Sequence, residues 1–422
     1  MVHIPFVTAG LRPIYHRKGL SNVGRQQKRR AVQVHYEFES AEAGETQYWL
    51  AWPDQAHSEV STCSLEEKLK YAQIHDQTIA YTVLRQNEKL LLTYKTDVYA
   101  PSEEKALTEA KRQFYLRSGE LAMVNEQVME LAKSVTKGAG SDYERARLLF
   151  HYFVDHFKYQ YPPASRGAIS FLAEKSGDCG EYAFLYTACC RALDIPCRSI
   201  VGSWAHGKMQ AHVWNEVFIE EKGWLPVDCS MAFIQKTRKF QFMFSSIRTL
   251  PWKAYFGKTD GQRIVFSYDA DMPLEPEYPS ADLDEIPYQI DVPMQVNGKP
   301  FYWGAQSLHG RAPYLQPCYV KIDEKNWKDP EFKPKYEGYL GHWKIKEAAA
   351  MQFLQYLKPV ALLLVLITWI VVWFNDEPYW KAAQGGFGLL YCLTFIVRQE
   401  RIWLFSLLSI FFILSLLAGI FP

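Results

Sequence analysis

The spacing of hydrophobic positions changes character along this chain. From Ala31 to Tyr99 it alternates: Val32, Val34, Tyr36 and Phe38 interleave with Gln33, His35, Glu37 and Glu39, the period-two pattern of strands with one buried face. Tyr48-Trp49-Leu50-Ala51-Trp52 and Leu90-Leu91-Leu92-Thr93-Tyr94 continue it, with turn residues between. Residues 31–100 are therefore expected to form a small β-rich domain, and the charged stretch from Pro101 to about Ser118 to link it onward. From Glu120 to Lys137 the period becomes helical, with Leu121, Val124, Val128, Leu131 and Val135 on one side, until Gly138-Ala139-Gly140 breaks it. Ser141-Asp142-Tyr143-Glu144 reads as a capping box opening a helix that carries Ala146, Leu149, Tyr152, Phe153 and Phe157. A further helix follows Asp178, with Leu185, Ala188, Cys189, Ala192 and Leu193 as its buried stripe and Pro196 as its stop. Ser199 to Ile234 reads as strands, with Ile264-Val265-Phe266 and later segments completing a sheet. Tyr278 to Pro317, rich in Pro and Tyr, reads as loops wrapping the core.

The C-terminal pattern is of another kind. Val360 to Phe374 is an uninterrupted apolar run, extended by Leu354, Tyr356 and Leu357 if Lys358 snorkels. Ala382 to Val397 is a weaker run that begins with Gln384, Gly385 and Gly386, and Ile402 to Phe421 is a full-length one. A membrane span takes about 20 mainly apolar residues. Residues 353–421 are thus expected to hold two or three transmembrane helices, the middle one spanning only if short or tilted, after a linker or juxtamembrane segment at 321–352. Lys333, Lys335, Lys344, Lys346 and Lys358 precede the first run, the loop after it holds Asp376 and Glu377 against Lys381, and Arg398 to Arg401 is net basic. By the positive-inside rule the large N-terminal part faces the cytoplasm.

A chain of 422 residues has room for two or three domains, and its net charge of +1 implies no bulk electrostatic partner. No nucleic-acid partner is expected. The local exception is residues 1–30, which hold Arg12, Arg17, Lys18, Arg25, Lys28, Arg29 and Arg30 and no acidic residue. They read as a flexible, solvated basic arm, with a targeting peptide, a nucleic-acid arm or a membrane-surface arm as alternatives. No apolar segment follows these charges, so a secretory signal is not expected. The eight cysteines show no CxxC pair or framework spacing, so neither a zinc site nor a disulfide scaffold is suggested, and a reducing compartment fits. No metal or cofactor is expected.

Chemistry concentrates at Ser176-Gly177-Asp178-Cys179-Gly180-Glu181-Tyr182. Asp178 suits an N-cap and Glu181 its reciprocal partner, which puts Cys179 at the first helical position. There the helix dipole and free N–H groups favour a thiolate, and the Cys179 N–H is placed to donate to an oxyanion. His212-Val213-Trp214-Asn215-Glu216 follows on a strand pattern, with His212, Trp214 and Glu216 on one face. After the turn at Glu221-Lys222-Gly223 the chain returns through Trp224-Leu225-Pro226-Val227-Asp228. A register centred on Glu220 would place His212 level with Asp228, whereas a one-residue shift would separate their faces. His206, in a loop beside Gly207, is the rival imidazole. Cys179, His212 and Asp228 together make a nucleophile, base and orienter. Cys189, Cys190, Cys197 and Cys229 read as core residues.

These segments resemble the transglutaminase-like superfamily of papain-like cysteine enzymes, in its bacterial and archaeal branch. The resemblance rests on Gly177-Asp178-Cys179-Gly180-Glu181-Tyr182-Ala183, Leu193-Asp194-Ile195-Pro196-Cys197-Arg198, His212-Val213-Trp214-Asn215-Glu216 and Gly223-Trp224-Leu225-Pro226-Val227-Asp228. Asp194 stands where the family usually has Gly, a left-handed position that Asp tolerates. The resemblance implies an α+β fold with a papain-like, transglutaminase-like core at 115–320. In it a catalytic helix packs on an antiparallel sheet, preceded by the small β domain and followed by transmembrane helices. It implies Cys179 as nucleophile, His212 as base and Asp228 as orienter, acting on a protein or peptide amide through a thioester. Hydrolysis is the favoured outcome. Amine transfer (glutamine cross-linking) and a non-catalytic membrane-tethered binding module are the alternatives.

Overall fold

A computed structural model describes residues 30–41, 44–220, 222–238, 241–242, 247–279, 293–322 and 340–421. The basic arm up to Arg29, Lys333, Lys335 and part of the Tyr278–Pro317 stretch lie outside the described residues. The alternating N-terminal segment forms β1 (Ala31–Glu39), β2 (Thr46–Trp52), β3 (Ser58–Cys63), β4 (Lys70–Ile74), β5 (Gln77–Leu84) and β6 (Lys89–Asp97). Its predicted inner face is realised, with Val32, Val34, Tyr36 and Phe38 all buried. These strands are shared between two antiparallel sheets, both completed from far down the chain. β18 (Cys318–Lys321) pairs with β2, and β19 (His342–Lys346) pairs with β1. The segment read as a linker thus contributes a strand just before the apolar helices.

Helices follow. α1 (Glu109–Leu116) occupies the stretch read as a charged connection, because the Thr108 side chain accepts from Lys111 N and caps it. α2 (Glu126–Val135) starts at Glu126 rather than Glu120, because Asn125 is its cap, accepting from Val128 N. α3 (Asp142–His156) is capped by Ser141 as expected, but Glu144 reaches back to Gly140 N at 2.9 Å rather than to Ser141. β7 (Lys158–Tyr159), α4 (Ala168–Glu174) and β8 (Ser176–Gly177) lead into α5 (Cys179–Arg191). α5 is buried on every side from Gly180 to Arg191, not along one stripe. It contacts α2, α3, α4 and α6 as well as the sheet, so no face is left for solvent.

That sheet is antiparallel and four-stranded, ordered β12-β11-β9-β13. Its strands are β9 (Cys197–Trp204), β11 (Ala211–Ile219), β12 (Gly223–Val227) and β13 (Arg263–Tyr268), and the short β10 (Gly207–Lys208) between β9 and β11 pairs instead with β19. The expected strand character to Ile234 stops at Val227, because Asp228 caps a helix, α6 (Cys229–Thr237). Asp194 has φ +60°, the left-handed conformation expected of it. Minor strands are β14 (Met272–Pro273), β15 (Pro293–Val296), β16 (Lys299–Tyr302) and β17 (Arg311–Ala312).

The chain ends in α7 (Ala349–Phe374), α8 (Pro378–Val397) and α9 (Ile402–Ile420). α7 and α9 are long and apolar enough to cross a membrane. Leu363, Trp369, Trp373, Leu407 and Phe411 point outward and exposed. α8 packs against both neighbours. Its glycines permit this: a Cβ on Gly388 would fall 2.0 Å from the Phe412 ring, the close approach that small residues allow between such helices.

Gly202 has an equivalent role in β9. It pairs with His212, and a Cβ there would stand 2.0 Å from the Ile264 carbonyl oxygen and press on the Trp214 ring. Gly202→Ala is expected to destabilise the detergent-solubilised chain by about 1–3 kcal/mol through overpacking, read as a lowered Tm. An unchanged Tm would show that β13 shifts freely.

Candidate active site

The first turn of α5 is over-determined. Asp178 Oδ1 accepts from Gly180 N at 2.8 Å, and Glu181 Oε2 accepts from Asp178 N at 3.2 Å, completing the expected capping box. Arg166, which no local pattern singled out, donates from Nη1 to Asp178 Oδ2 at 2.8 Å and to Glu181 Oε2 at 3.2 Å. Burial pushes the Glu181 carboxyl up to about 8, with the neighbouring Asp178 adding and Arg166 opposing. Upstream, parallel pairing sets Tyr159 opposite Gly177, and Gln160 N donates to Gly177 O at 2.8 Å. Cys179 is therefore held at the helix start from both sides.

His212 and Asp228 meet, through a register offset by two residues from one centred on Glu220. Ile219 opposes Gly223 and Asn215 opposes Val227. Continued, that pairing brings Asp228 opposite Trp214, two residues along the same face from His212. The shift preserves parity, so the side chains still share a face, and His212 Nε2 lies 2.8 Å from Asp228 Oδ2. His206, by contrast, sits in the bend after β9. Asp228 also caps α6, its Oδ1 accepting from Met231 N and Ser230 Oγ, each at 2.8 Å. Arg263 Nη1 lies 2.8 Å from Asp228 Oδ2. Burial works against the charge on Asp228, yet Arg263, His212 and the Met231 N–H outweigh it and hold the carboxyl well below the usual range.

The imidazole is clamped by indoles. Trp204 and Trp214 stack on it, with centroids 4.9 Å and 6.0 Å away and planes within 21° and 19°. The Arg263 guanidinium lies 5.0 Å and 5.1 Å from the same two ring centroids, a cation–π arrangement. Nothing in the local pattern around Arg263 marked it, because the strand that carries it reaches Asp228 only through the sheet.

Cys179 joins this group at the start of β11. The Val213 backbone N–H lies close enough to favour the sulfur's charged form, and the Asp228 carboxylate close enough to oppose it. On the same side of β11, Asn215 Nδ2 donates to Ala183 O at 2.9 Å and Thr187 Oγ1 at 2.8 Å, fixing α5 to the strand. The helix-start argument predicts a thiolate, but the environment works the other way. Burial pushes the thiol well above its ordinary value, and the carboxylates of Asp178, Glu181 and Asp228 reinforce that against the Val213 N–H. Burial at this helix start therefore outweighs what the dipole offers the sulfur. Cys189, Cys190, Cys197 and Cys229 are buried core residues, as expected. Among the described residues, no group of three or more His, Cys, Asp or Glu converges as a metal site would require.

Residues 129–229 match the transglutaminase-like superfamily core, and the chain carries a domain of that superfamily. Over 101 residues it is 33% identical to the peptide-N(4)-(N-acetyl-beta-glucosaminyl)asparagine amidase of Drosophila melanogaster, a match spanning 24% of this chain and 15% of that one. Among solved structures it is similar to the periplasmic domain of TgpA from Pseudomonas aeruginosa, at 18% identity and TM-score 0.33, covering 49% of this chain and 96% of that one. It is also similar to red sea bream transglutaminase, at 11% identity and TM-score 0.24, covering 56% of each.

The raised thiol makes a pH prediction. A raised folded pKa keeps the sulfur protonated through neutrality, so iodoacetamide alkylation of Cys179 is expected to keep accelerating above pH ~8.5, the ordinary thiol value. A rate already on its plateau below pH 7 would instead reveal a preformed thiolate–imidazolium pair.

Proposed function

We propose that this protein is a membrane-anchored thiol enzyme that cleaves a peptide or side-chain amide through a Cys179 thioester, with His212 as base and Asp228 as orienter. The observation that carries this reading is the 2.8 Å contact between His212 Nε2 and Asp228 Oδ2, beside a cysteine at a helix start. Asp228 occupies Nε2 and so leaves Nδ1 for the thiol. The Cys179 proton passes to Nδ1 as sulfur attacks the carbonyl carbon, and the Cys179 N–H supports the oxyanion. His212 then protonates the nitrogen as the C–N bond breaks, giving thioester and free amine. Water attacks next, giving its proton to His212, and collapse returns the proton to the departing sulfur. The raised thiol favours this concerted route over a standing thiolate. The preference for water over an amine draws support from the Drosophila melanogaster relative, whose name is that of an amidase.

Membrane anchoring is supported by the outward apolar faces of α7 and α9; exposed apolar area on that scale calls for a nonaqueous neighbour. The Glu347–Arg398 ion pair places the start of α7 and the α8–α9 loop at the same end. Basic residues cluster there, which by the positive-inside rule is the cytoplasmic end.

Cys179→Ala is expected to abolish release of amine from peptide amides, and Asp228→Asn to lower kcat by about 10²–10⁴-fold. Full activity in Cys179→Ala would refute the nucleophile. A labelled primary amine added to the assay is expected to remain unincorporated; incorporation would make the enzyme a transferase. In fractionated cells the chain should stay in the pellet through alkaline carbonate extraction, and its release would refute the membrane-spanning reading.

A further inference from the structure

We infer that the loop joining α8 to α9 is a positioning element for the His212–Asp228 pair, so that the C-terminal helices brace the site as well as anchor the protein. The inference rests on the function proposed above. Its starting point is a set of buried charges where polar cost would be high unless paired. Arg398 and Glu400 are 2% and 1% exposed. Arg398 Nε reaches Glu400 Oε1 at 2.7 Å, and its Nη1 reaches Glu347 Oε2 at 2.7 Å. Lys358, in α7, takes the other oxygen of Glu400. The start of α7 and the α8–α9 loop are thereby locked into one unit. Gln399 and Arg401 in that loop have φ +58° and +48°, left-handed conformations that such residues adopt only where their surroundings impose them.

Two polar routes run from this unit to Asp228, one to its carboxylate and one to its backbone N–H. In the first, Gln399 Oε1 accepts from Arg248 Nη1 at 3.3 Å, and Arg248 N donates to Gln262 Oε1 at 2.9 Å. Gln262 N donates to Asp260 Oδ1 at 3.0 Å, and Asp260 Oδ2 accepts from Arg263 Nε at 3.0 Å and Nη2 at 2.6 Å. Arg263 Nη1 completes it, 2.8 Å from the Asp228 oxygen that meets His212. In the second, Leu250 N donates to Tyr255 Oη at 3.2 Å, and Tyr255 O accepts from Asp228 N at 3.0 Å. Arg248 and Leu250 sit on one short segment, so the loop's grip on Arg248 sets the position of both routes. Arg248, Gln262, Arg263 and Asp260 are all buried, and water cannot readily replace a lost partner among them.

The full chain in detergent micelles tests this. Alkylation of Cys179 by iodoacetamide, followed against pH, reads the site without requiring turnover, and His212→Ala gives the reference for a site without its imidazole. Arg248→Ala and Gln399→Ala should move the wild-type profile towards that reference. On a cleavable peptide amide they should lower kcat by about 10- to 100-fold at unchanged KM; Arg248→Lys should recover part of the loss. Tm measured alongside separates misfolding from misplacement, and Gln399→Ala, at the surface of the loop, covers the case in which Arg248→Ala does not fold. A His212-dependent profile that neither variant alters would overturn the inference alone. Identical profiles for wild type and His212→Ala would overturn the reading of the site itself.

Discussion

The arrangement turns on one carboxylate. Asp228 follows β12, caps α6, meets His212 and neutralises Arg263, all within hydrogen-bonding distance. Burying such a group alone would be prohibitive. Here the Arg263 charge and the donors from Met231 and Ser230 make ionisation the stable state despite burial. The contact with this carboxylate fixes one edge of the His212 imidazole, and the flanking Trp204 and Trp214 rings limit its rotation.

Close to that carboxylate, buried polar groups also shape the surroundings of Cys179. Asp178 and Glu181 hold the start of α5, Arg166 holds both, and the burial that comes with this packing raises the Cys179 thiol. Precise placement and a pre-ionised sulfur compete at this helix terminus, and here placement prevails. A second buried cation repeats the theme. Arg198 joins Glu216 of the central sheet at 2.7 Å to Asp76, before β5, at 2.8 Å, and so connects the N-terminal strands to the core by a charge pair.

The chain is also less modular than its order suggests. β19 lies immediately before the apolar helices, yet it pairs with β1 and with β10, the short strand next to the His212 strand. Trp343 on β19 donates to Ser203 Oγ at 3.1 Å. The residues that approach the proposed membrane are thus hydrogen-bonded to the rim of the site, as the α8–α9 loop is to its base.

Much of this was legible beforehand. Alternation fixed the inner face of β1, and the capping pattern at Asp178 and Glu181 placed Cys179 at a helix start, because both are consequences of local backbone geometry. The His212 and Asp228 segments were legible for the same reason, whereas the left-handed Asp194 was expected from the family resemblance. What stayed hidden depends on contacts remote in sequence. Arg166 and Arg263 act on residues reached only when strands pair, and α6 replaces an expected strand because a carboxylate needed in the site also serves as a helix cap. The register of β11 on β12, the raised thiol and the convergence of β18 and β19 on the N-terminal sheets are likewise long-range facts. Local residue patterns by themselves determined which residues carry the candidate chemistry; the tertiary structure alone decided what supports them and which way burial and neighbours shift Cys179 and Asp228, because both depend on what folding brings alongside them.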